Sequence, residues 1–377
     1  MTEAKEAARA AIESKRQTLI DLSHAIHAEP ELGYQEFKAS KRLADFAEGL
    51  GFEVELGAYD LPTAFVAEFG SGSRTVGLCA EYDALPEIGH ACGHNVIAAA
   101  AMAAAAGLKA VAAECDLTVR IVGTPAEEVG DSAGKHLLLE GGAFEGIDIA
   151  MMVHPAPDDV VRPVMIAAAS IDVAFEGVPS HAAFYPELGV NAADAMTISQ
   201  VAIGLLRQHI LPTDRLHGII LKGGDAANIV PAHTTARYMV RSLELADLEP
   251  LLRRVRSCFE AGATGTGAKL TLSGGTKPYA DVRHDHNLSE LYRSNAEALG
   301  RVFVPTDGRP SGSTDMGNVS YVLPSIHPFI GIGSRPAVNH QPGFTDAAAT
   351  EKADQAILDG GIAMAWTAID FGFGTQR

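Results

Sequence analysis

Apolar residues recur at helical spacing from residue 3 to residue 28 (Ala8, Ala11, Ile12, Leu19, Ile20, Leu22, Ile26), and the run stops at Glu29-Pro30. The same spacing predicts a second helix over 36–50, closed by Gly51. Residues 52–56 and 63–69 alternate between apolar and polar, as strands with one buried face do. Residues 75–80 are almost continuously apolar, which marks a central strand. From there a repeating order of strand, polar loop and helix sets in. The strand at 75–80 leads through the loop 81–95 into a helix ending near 113. The strand at 117–122 leads through 123–128 into a helix around 134–139, and a third strand, 147–153, runs straight into His154-Pro155. Such alternation predicts βαβ units and a largely parallel sheet, with the polar loops gathered at the carboxyl ends of its strands.

Between about 170 and 277 the texture changes. Alternating segments at 171–176, 218–222, 235–242 and 269–273 are interleaved with amphipathic helices over 192–209 and 248–261. Two helices on a small antiparallel sheet is the simple reading. After Pro278 the α/β pattern returns, with helices over 288–299 and 347–369. The expected fold class is therefore α/β, a mainly parallel-sheet domain of residues 1–169 and 278–377, interrupted by an inserted α+β domain of residues 170–277.

Composition narrows the partners. With 47% hydrophobic and 20% charged residues over 377 positions, the chain can bury a sizeable core. Its formal charge of -18 opposes nucleic acid and anionic membrane surfaces as partners. The first residues lack the apolar core of a signal peptide, and the Ala-rich run ending at Lys109 falls short of the roughly 20 residues that span a bilayer. The 4 cysteines are too few for a disulfide framework, and Cys79, Cys115 and Cys258 read as buried thiols. A cytoplasmic location is expected.

The chemistry concentrates at His90-Ala-Cys-Gly-His-Asn95. A Cys-x-His pair at the mouth of a helix can place thiolate and imidazole on one ion. Cys92, His94, Glu128, His154 and His340 form a candidate metal set. The first four follow the carboxyl ends of consecutive expected strands, and His340 stands in the loop Asn339-His-Gln-Pro-Gly343. These are too many ligands for one tetrahedral structural zinc. They suit two ions that share a ligand and leave room for water and substrate. Glu127 and Glu128 are adjacent carboxylates, one able to bind metal and the other to act as base; their order is open at this level. Asp83 is a candidate to orient a ligand imidazole, and His90 lies nearby. Ser311 and Ser313 lack the pattern of a nucleophile turn and read as substrate or lid contacts.

In chain order, Glu81-Tyr-Asp-Ala-Leu-Pro86, His90-Ala-Cys-Gly-His-Asn95, Thr124-Pro-Ala-Glu-Glu128, His154-Pro155, Ser180-His-Ala-Ala183 and Ser313-Thr-Asp-Met-Gly-Asn318 resemble the motifs of the di-metal amidohydrolase family of aminoacylases, glutamate carboxypeptidases and auxin-conjugate hydrolases. With Asn at 95, the first two look most like the branch of p-aminobenzoyl-glutamate hydrolase and the β-alanyl-lysine-type dipeptidases. The resemblance implies a catalytic domain with a lid and dimerisation domain inserted in it. It implies two divalent ions bridged by Cys92, zinc or manganese, with cobalt and nickel also within the chemistry. It makes Glu127 the base and Glu128 a ligand. His181 of the lid would steady the oxyanion, often in a partner's site. Asn228 and Arg241 would hold the substrate's carbonyl and carboxylate, with Arg237 a rival to Arg241. The implied substrate is a small N-acyl amino acid or dipeptide-like conjugate, and the implied assembly a homodimer or higher oligomer. Two other readings share the motifs: a non-catalytic metal- or ligand-binding relative, and an amidase or deaminase acting on an amide without an amino acid.

Overall fold

The computed structural model describes residues 1–306 and 308–374; the last residues of the expected segment 278–377 lie outside the described ones. The N-terminal periodic run forms two helices, not one. α1 (Thr2–Ser14) and α2 (Arg16–Ala28) meet at Lys15, whose φ of -103° and ψ of 3° interrupt the helix. The turn lets each half bury its own stripe, Ala4, Ala8 and Ile12 in one and Leu19, Leu22 and Ile26 in the other. α3 (Phe37–Leu50) follows, then β1 (Glu53–Leu56) and β2 (Phe65–Gly70), which form an antiparallel margin. β3 (Arg74–Glu81) is the central strand, buried along its second half as its apolar run requires.

α4 (His94–Lys109) carries the Ala-rich run and is buried over nearly its whole length. β4 (Leu117–Thr124), α5 (Gly134–Glu140) and β5 (Ile149–Met151) complete the first α/β succession. His154 does not stand in a loop. It opens a short strand, β6 (His154–Ala156).

The chain then leaves through β7 (Ala167–Glu176) into α6 (Ala192–Leu206), β8 (Arg215–Lys222), β9 (His233–Ser242), α7 (Leu245–Thr266) and β10 (Lys269–Gly274). These strands pair antiparallel in the order β10-β7-β9-β8. α6 and α7 cover one face, with Phe175, Met196, Ile203, Val240, Val255 and Phe259 in a core of their own. On return, α8 (His286–Ala298), α9 (Met316–Ser320), β11 (Ser325–Ile326), β12 (Phe329–Gly331), α10 (Pro342–Ala347) and α11 (Glu351–Phe373) finish the larger half. The last long helix starts at Glu351, a few residues later than its pattern suggests, because α10 ends on Ala347 and a turn over 348–350 separates the two helices. At the joint between halves, Ala168 and Tyr279 exchange both backbone hydrogen bonds, at 3.1 and 2.8 Å.

The main sheet runs β1-β2-β4-β3-β5-β11, parallel from β4 onward. β12 pairs with β6 in a separate parallel pair that sets Phe329 opposite His154. α11 packs on α4 at close range: a methyl added at Gly361 would lie 2.4 Å from Ala103 Cβ. Small residues on both helices therefore set how near the two axes come. α11 is long and apolar enough to cross a membrane, yet 83% of its apolar window is buried inside the protein, as a core helix is.

Candidate metal centre and active-site cavity

Three strand ends deliver the polar residues. β3 ends on Glu81, fully buried, and two residues on stands Asp83. Its carboxylate lies 2.9 Å from His94 Nδ1 and also accepts the Glu128 backbone N–H at 2.9 Å. One carboxylate thus orients an imidazole and anchors the next loop, leaving His94 Nε2 free to ligate. Between Cys92 and His94 the chain turns at Gly93, φ 79°, where a Cβ would come within 2.5 Å of Pro155 Cγ. Only glycine combines that left-handed backbone with that close approach.

After β4, Ala126 adopts a left-handed φ of 57° and its N–H donates to Glu36 at 2.7 Å. Glu36 is buried and also accepts from Thr63 Oγ at 2.9 Å. This buried carboxylate holds a strained turn that aims Glu127 and Glu128. His340 is likewise left-handed, φ 67°, with its N–H on the Ala91 carbonyl at 2.8 Å. Asn339 beside it donates to the carbonyls of Pro155 (3.1 Å) and Cys92 (3.4 Å).

The side chains converge into groups whose ligand atoms all lie within 4.8 Å: Cys92, His94 and His154; Cys92, Glu128 and His340; and Glu81, His94 and Glu127. Cys92 Sγ is 3.4 Å from His154 Nε2, and His340 Nε2 is 3.2 Å from Glu128 Oε1. Donors sharing one tetrahedral ion at about 2.0–2.3 Å stand roughly 3.2–3.7 Å apart. The first two groups therefore fit two ions with Cys92 common to both. A buried His94 Nε2 without a hydrogen-bond partner among the described residues fits a cation ligand too.

Protonation follows the same geometry. Burial alone would hold the Cys92 thiol up, but the His154 and His94 imidazoles outweigh it and bring it well below its usual value. Hydrogen bonds to Cys92 and Glu128 push His340 up to about 10. Burial, then the Cys92 thiolate, raises Glu128 to about 7. Glu127 is raised well above a normal carboxyl by burial, with Glu81, Glu128 and Asp315 adding repulsion.

Cys92, Glu127, Glu128, His154 and His340 line a cavity of 520 Å³, and Arg241, Ser313, Met165 and Met239 line the same cavity. Arg241 donates to Ser313 Oγ at 2.9 Å and points a further N–H at Met239 Sδ, 3.7 Å away. Among the described residues no carboxylate pairs with it, and burial lowers its pKa. Its rival Arg237 is committed elsewhere, to Asp172 at 2.6 Å on the exposed face of the inserted sheet.

Two expected residues are not at this cavity. His181 is exposed, its ring 4.5 Å from that of Phe184, and Asn228 is exposed beside it, its carbonyl accepting the Ala182 N–H at 3.1 Å. The fold brings these two together on the inserted half, but not to the cavity of the same chain. His90 is buried and stacked on His27 at 6.1 Å. Cys258 is half-buried, more exposed than its helix pattern suggests.

Other residues of the site escape sequence reasoning. Lys135 is fully buried, its ammonium on Glu81 and, at 2.6 Å, on Asp315. Breaking such a buried pair typically costs about 3–5 kcal/mol. Tyr279 donates its hydroxyl to the Glu127 carbonyl and accepts the Gly130 N–H at 3.0 Å. Nothing in the local pattern around either residue distinguishes it from a surface Lys or Tyr.

With this geometry in place, comparison with known proteins is direct. The sequence model of peptidase family M20/M25/M40 matches residues 77–358. The Xaa-Arg dipeptidase of Mus musculus is 39% identical over 388 residues, spanning 97% of this chain and 88% of that one. One subunit of the p-aminobenzoyl-glutamate hydrolase of Escherichia coli is 34% identical over 277 residues, 68% of this chain and 57% of that one. A dinuclear metal-binding peptidase of the M20 family from Bacillus subtilis shares the fold with a TM-score of 0.72 at 21% identity, over 95% of this chain and 99% of that one.

Proposed function

The chain belongs to peptidase family M20/M25/M40, and we propose how its own residues carry the family's reaction. It is a metal-dependent amidohydrolase cleaving the amide bond of N-acyl amino acids or small dipeptide-like conjugates. The observation behind the residue roles is a single cavity lined both by the candidate metal cluster and by a half-buried guanidinium that no carboxylate pairs among the described residues. A buried cation without a partner is costly, and a substrate carboxylate supplies the partner through two parallel hydrogen bonds.

Two divalent ions held by Cys92, His94, His154, Glu128 and His340 would polarise the scissile carbonyl and acidify water. Glu127, on the cavity wall, takes the proton from the water that attacks the carbonyl carbon. Its raised proton affinity suits it to keep that proton until the C–N bond breaks, then deliver it to the leaving amine. Tyr279 braces the Glu127 backbone, and Asp83 keeps His94 in its ligating tautomer. Arg241, held by Ser313, reads the carboxylate of the amino acid released. The thiolate favours zinc, cobalt or nickel over manganese.

The test is a panel of N-acyl amino acids, Xaa-Arg dipeptides and p-aminobenzoyl-glutamate, offered to metal-free protein reloaded with zinc, manganese, cobalt or nickel. Amino acid release is expected. Arg241→Ala should raise KM about 10–100-fold for free-acid substrates, the loss of a charged hydrogen-bond pair, and leave C-terminally amidated ones little changed. Equal KM values for wild type and variant on the free acids would remove Arg241 from this role. No release from any substrate would favour a non-catalytic relative.

We also propose a homodimer through the inserted half. β8 is an edge strand with Ile219, Ile220 and Leu221 exposed, and α6 exposes Val201 and Leu205 in the same half. Uncovered apolar edges of this kind invite pairing, and a second copy is the partner that would also carry His181 and Asn228 to a cavity. Sedimentation equilibrium should give twice 39.5 kDa. The double variant Leu205→Asp, Ile219→Asp should be monomeric, metal-loaded and at least tenfold less active. A fully active wild-type monomer would refute the role of His181. The separate cores of the two halves support the domain division 1–169 with 278–377 and 170–277. Four unpaired cysteines support a reducing, cytoplasmic setting.

A further inference from the structure

One oxygen beside the metal centre has no place in the two-ion set. Among the described residues, Glu81 Oε2 is fully buried and without a hydrogen-bond partner, and it stands 3.5 Å from His94 Nε2, which is equally buried and unpartnered. Glu127 completes a group whose ligand atoms all lie within 4.8 Å. The separation of the two orphans is that of donors on one small ion, roughly 3.2–3.7 Å. The other oxygen of Glu81 is held by the Lys135 ammonium, which Asp315 binds in turn. That ammonium fixes the Glu81 carboxylate with its free oxygen toward His94 and Glu127. With Glu127 ionised, three carboxylates (Glu81, Glu127, Asp315) against one ammonium leave two negative charges, which a divalent cation balances. Glu127 lines the cavity, so the position is reachable from it.

We propose that Glu81, His94 and Glu127 form a second resting position for a divalent cation, an alternative to the position on Cys92, His94 and His154. His94 Nε2 has one lone pair, so occupancy of one position excludes the other. The two differ in hardness. Two carboxylates and an imidazole favour manganese or magnesium, whereas thiolate and two imidazoles favour zinc, cobalt or nickel. An ion in the oxygen-rich position also ties up the carboxylate that the reaction needs as base. The chain thus sorts metals by where they settle: soft ions in the productive position, hard ions in a silent one. The inference rests on the two-ion reading above and adds to it a reason for metal preference.

The experiment uses the full metal-free chain. Manganese binding is read from the free-ion electron paramagnetic resonance signal, and cobalt binding from the thiolate-to-cobalt charge-transfer band. Glu81→Gln should weaken manganese binding at least tenfold and keep the cobalt band. Cys92→Ser should abolish the cobalt band and leave manganese affinity within threefold of wild type. Glu127→Gln removes another donor without touching the Lys135 pair. It should weaken manganese at least tenfold as well, which decides the matter if the Glu81 variant fails to fold. Manganese affinity unmoved by Glu127→Gln and Glu81→Gln, or lost with Cys92→Ser, overturns the second position. A wild-type cobalt complex without the charge-transfer band overturns the bridging thiolate instead, so the two readings fail separately.

Discussion

In protein reloaded with zinc, Glu127→Gln is expected to retain the metal and lose about 10²–10⁴-fold in kcat, the usual contribution of a positioned general base. The substitution is nearly isosteric and leaves Cys92, His94, Glu128, His154 and His340 in place, so binding at the metal centre should persist. What it removes is the capacity to accept and return a proton. The surroundings of Glu127 are built for that exchange: burial and the neighbouring carboxylates of Glu81 and Glu128 all favour its protonated form. The amide side chain holds no such proton. Elemental analysis should return the wild-type zinc content, and steady-state rates on an N-acyl amino acid should show the loss in kcat with KM little altered. Turnover at the wild-type rate would show that another group is the base, with Glu128 the first to examine.

Cys92→Ala should have the larger effect on metal. The thiolate belongs to both ligand groups, and its loss leaves His94 with His154 on one side and Glu128 with His340 on the other. Two-donor remnants are too sparse for tight binding of zinc at neutral pH. Elemental analysis is expected to show a fall from two ions to under one per chain, with activity below about 1% of wild type, since both roles of a two-metal site go together. The stabilising effect of zinc should vanish with it. At a hundredfold excess over Kd, a ligand adds about 2.7 kcal/mol to the folded state, which a thermal melt detects readily. Metal content equal to wild type would remove Cys92 from its bridging place.

Much of this site is legible in the chain itself. Cys92, His94 and Glu128 follow strands whose apolar runs identify them, His94 as the first residue of α4, and parallel α/β sheets gather such positions at one edge. His154 follows from the same logic, although the strand it belongs to, β6, is too short for a periodic signal and pairs outside the main sheet. The N-terminal run reads as one helix because 3.6-residue periodicity persists across Lys15. Both halves pack on α4 and α11, and the break at Lys15 lets each turn its own apolar stripe inward.

The roles of Asp83, Arg241 and Lys135 mark the boundary of that legibility. Asp83 could be nominated from its distance along the chain, but that one carboxylate serves His94 and Glu128 together is a fact of three dimensions. Arg237 and Arg241 lie on one strand, four residues apart, and sequence ranks them only by resemblance. The pairing of β9 with β7 sets Arg237 opposite Asp172, while Arg241 reaches the cavity with Ser313.

Local pattern was enough for the α/β class and for a candidate set of metal-ligand types, and the ordered motifs pointed to hydrolytic chemistry by resemblance, because apolar periodicity and residue identity belong to neighbouring residues in the chain. Three features came from the folded molecule only. Lys135 is buried between Glu81 and Asp315, Glu81 has an oxygen with no partner among the described residues, and His181 and Asn228 stand away from their own chain's cavity. Each depends on residues far apart in the chain meeting in a low-dielectric interior or failing to meet. Burial and long-range charge pairing leave no mark on the spacing of the residues that take part in them.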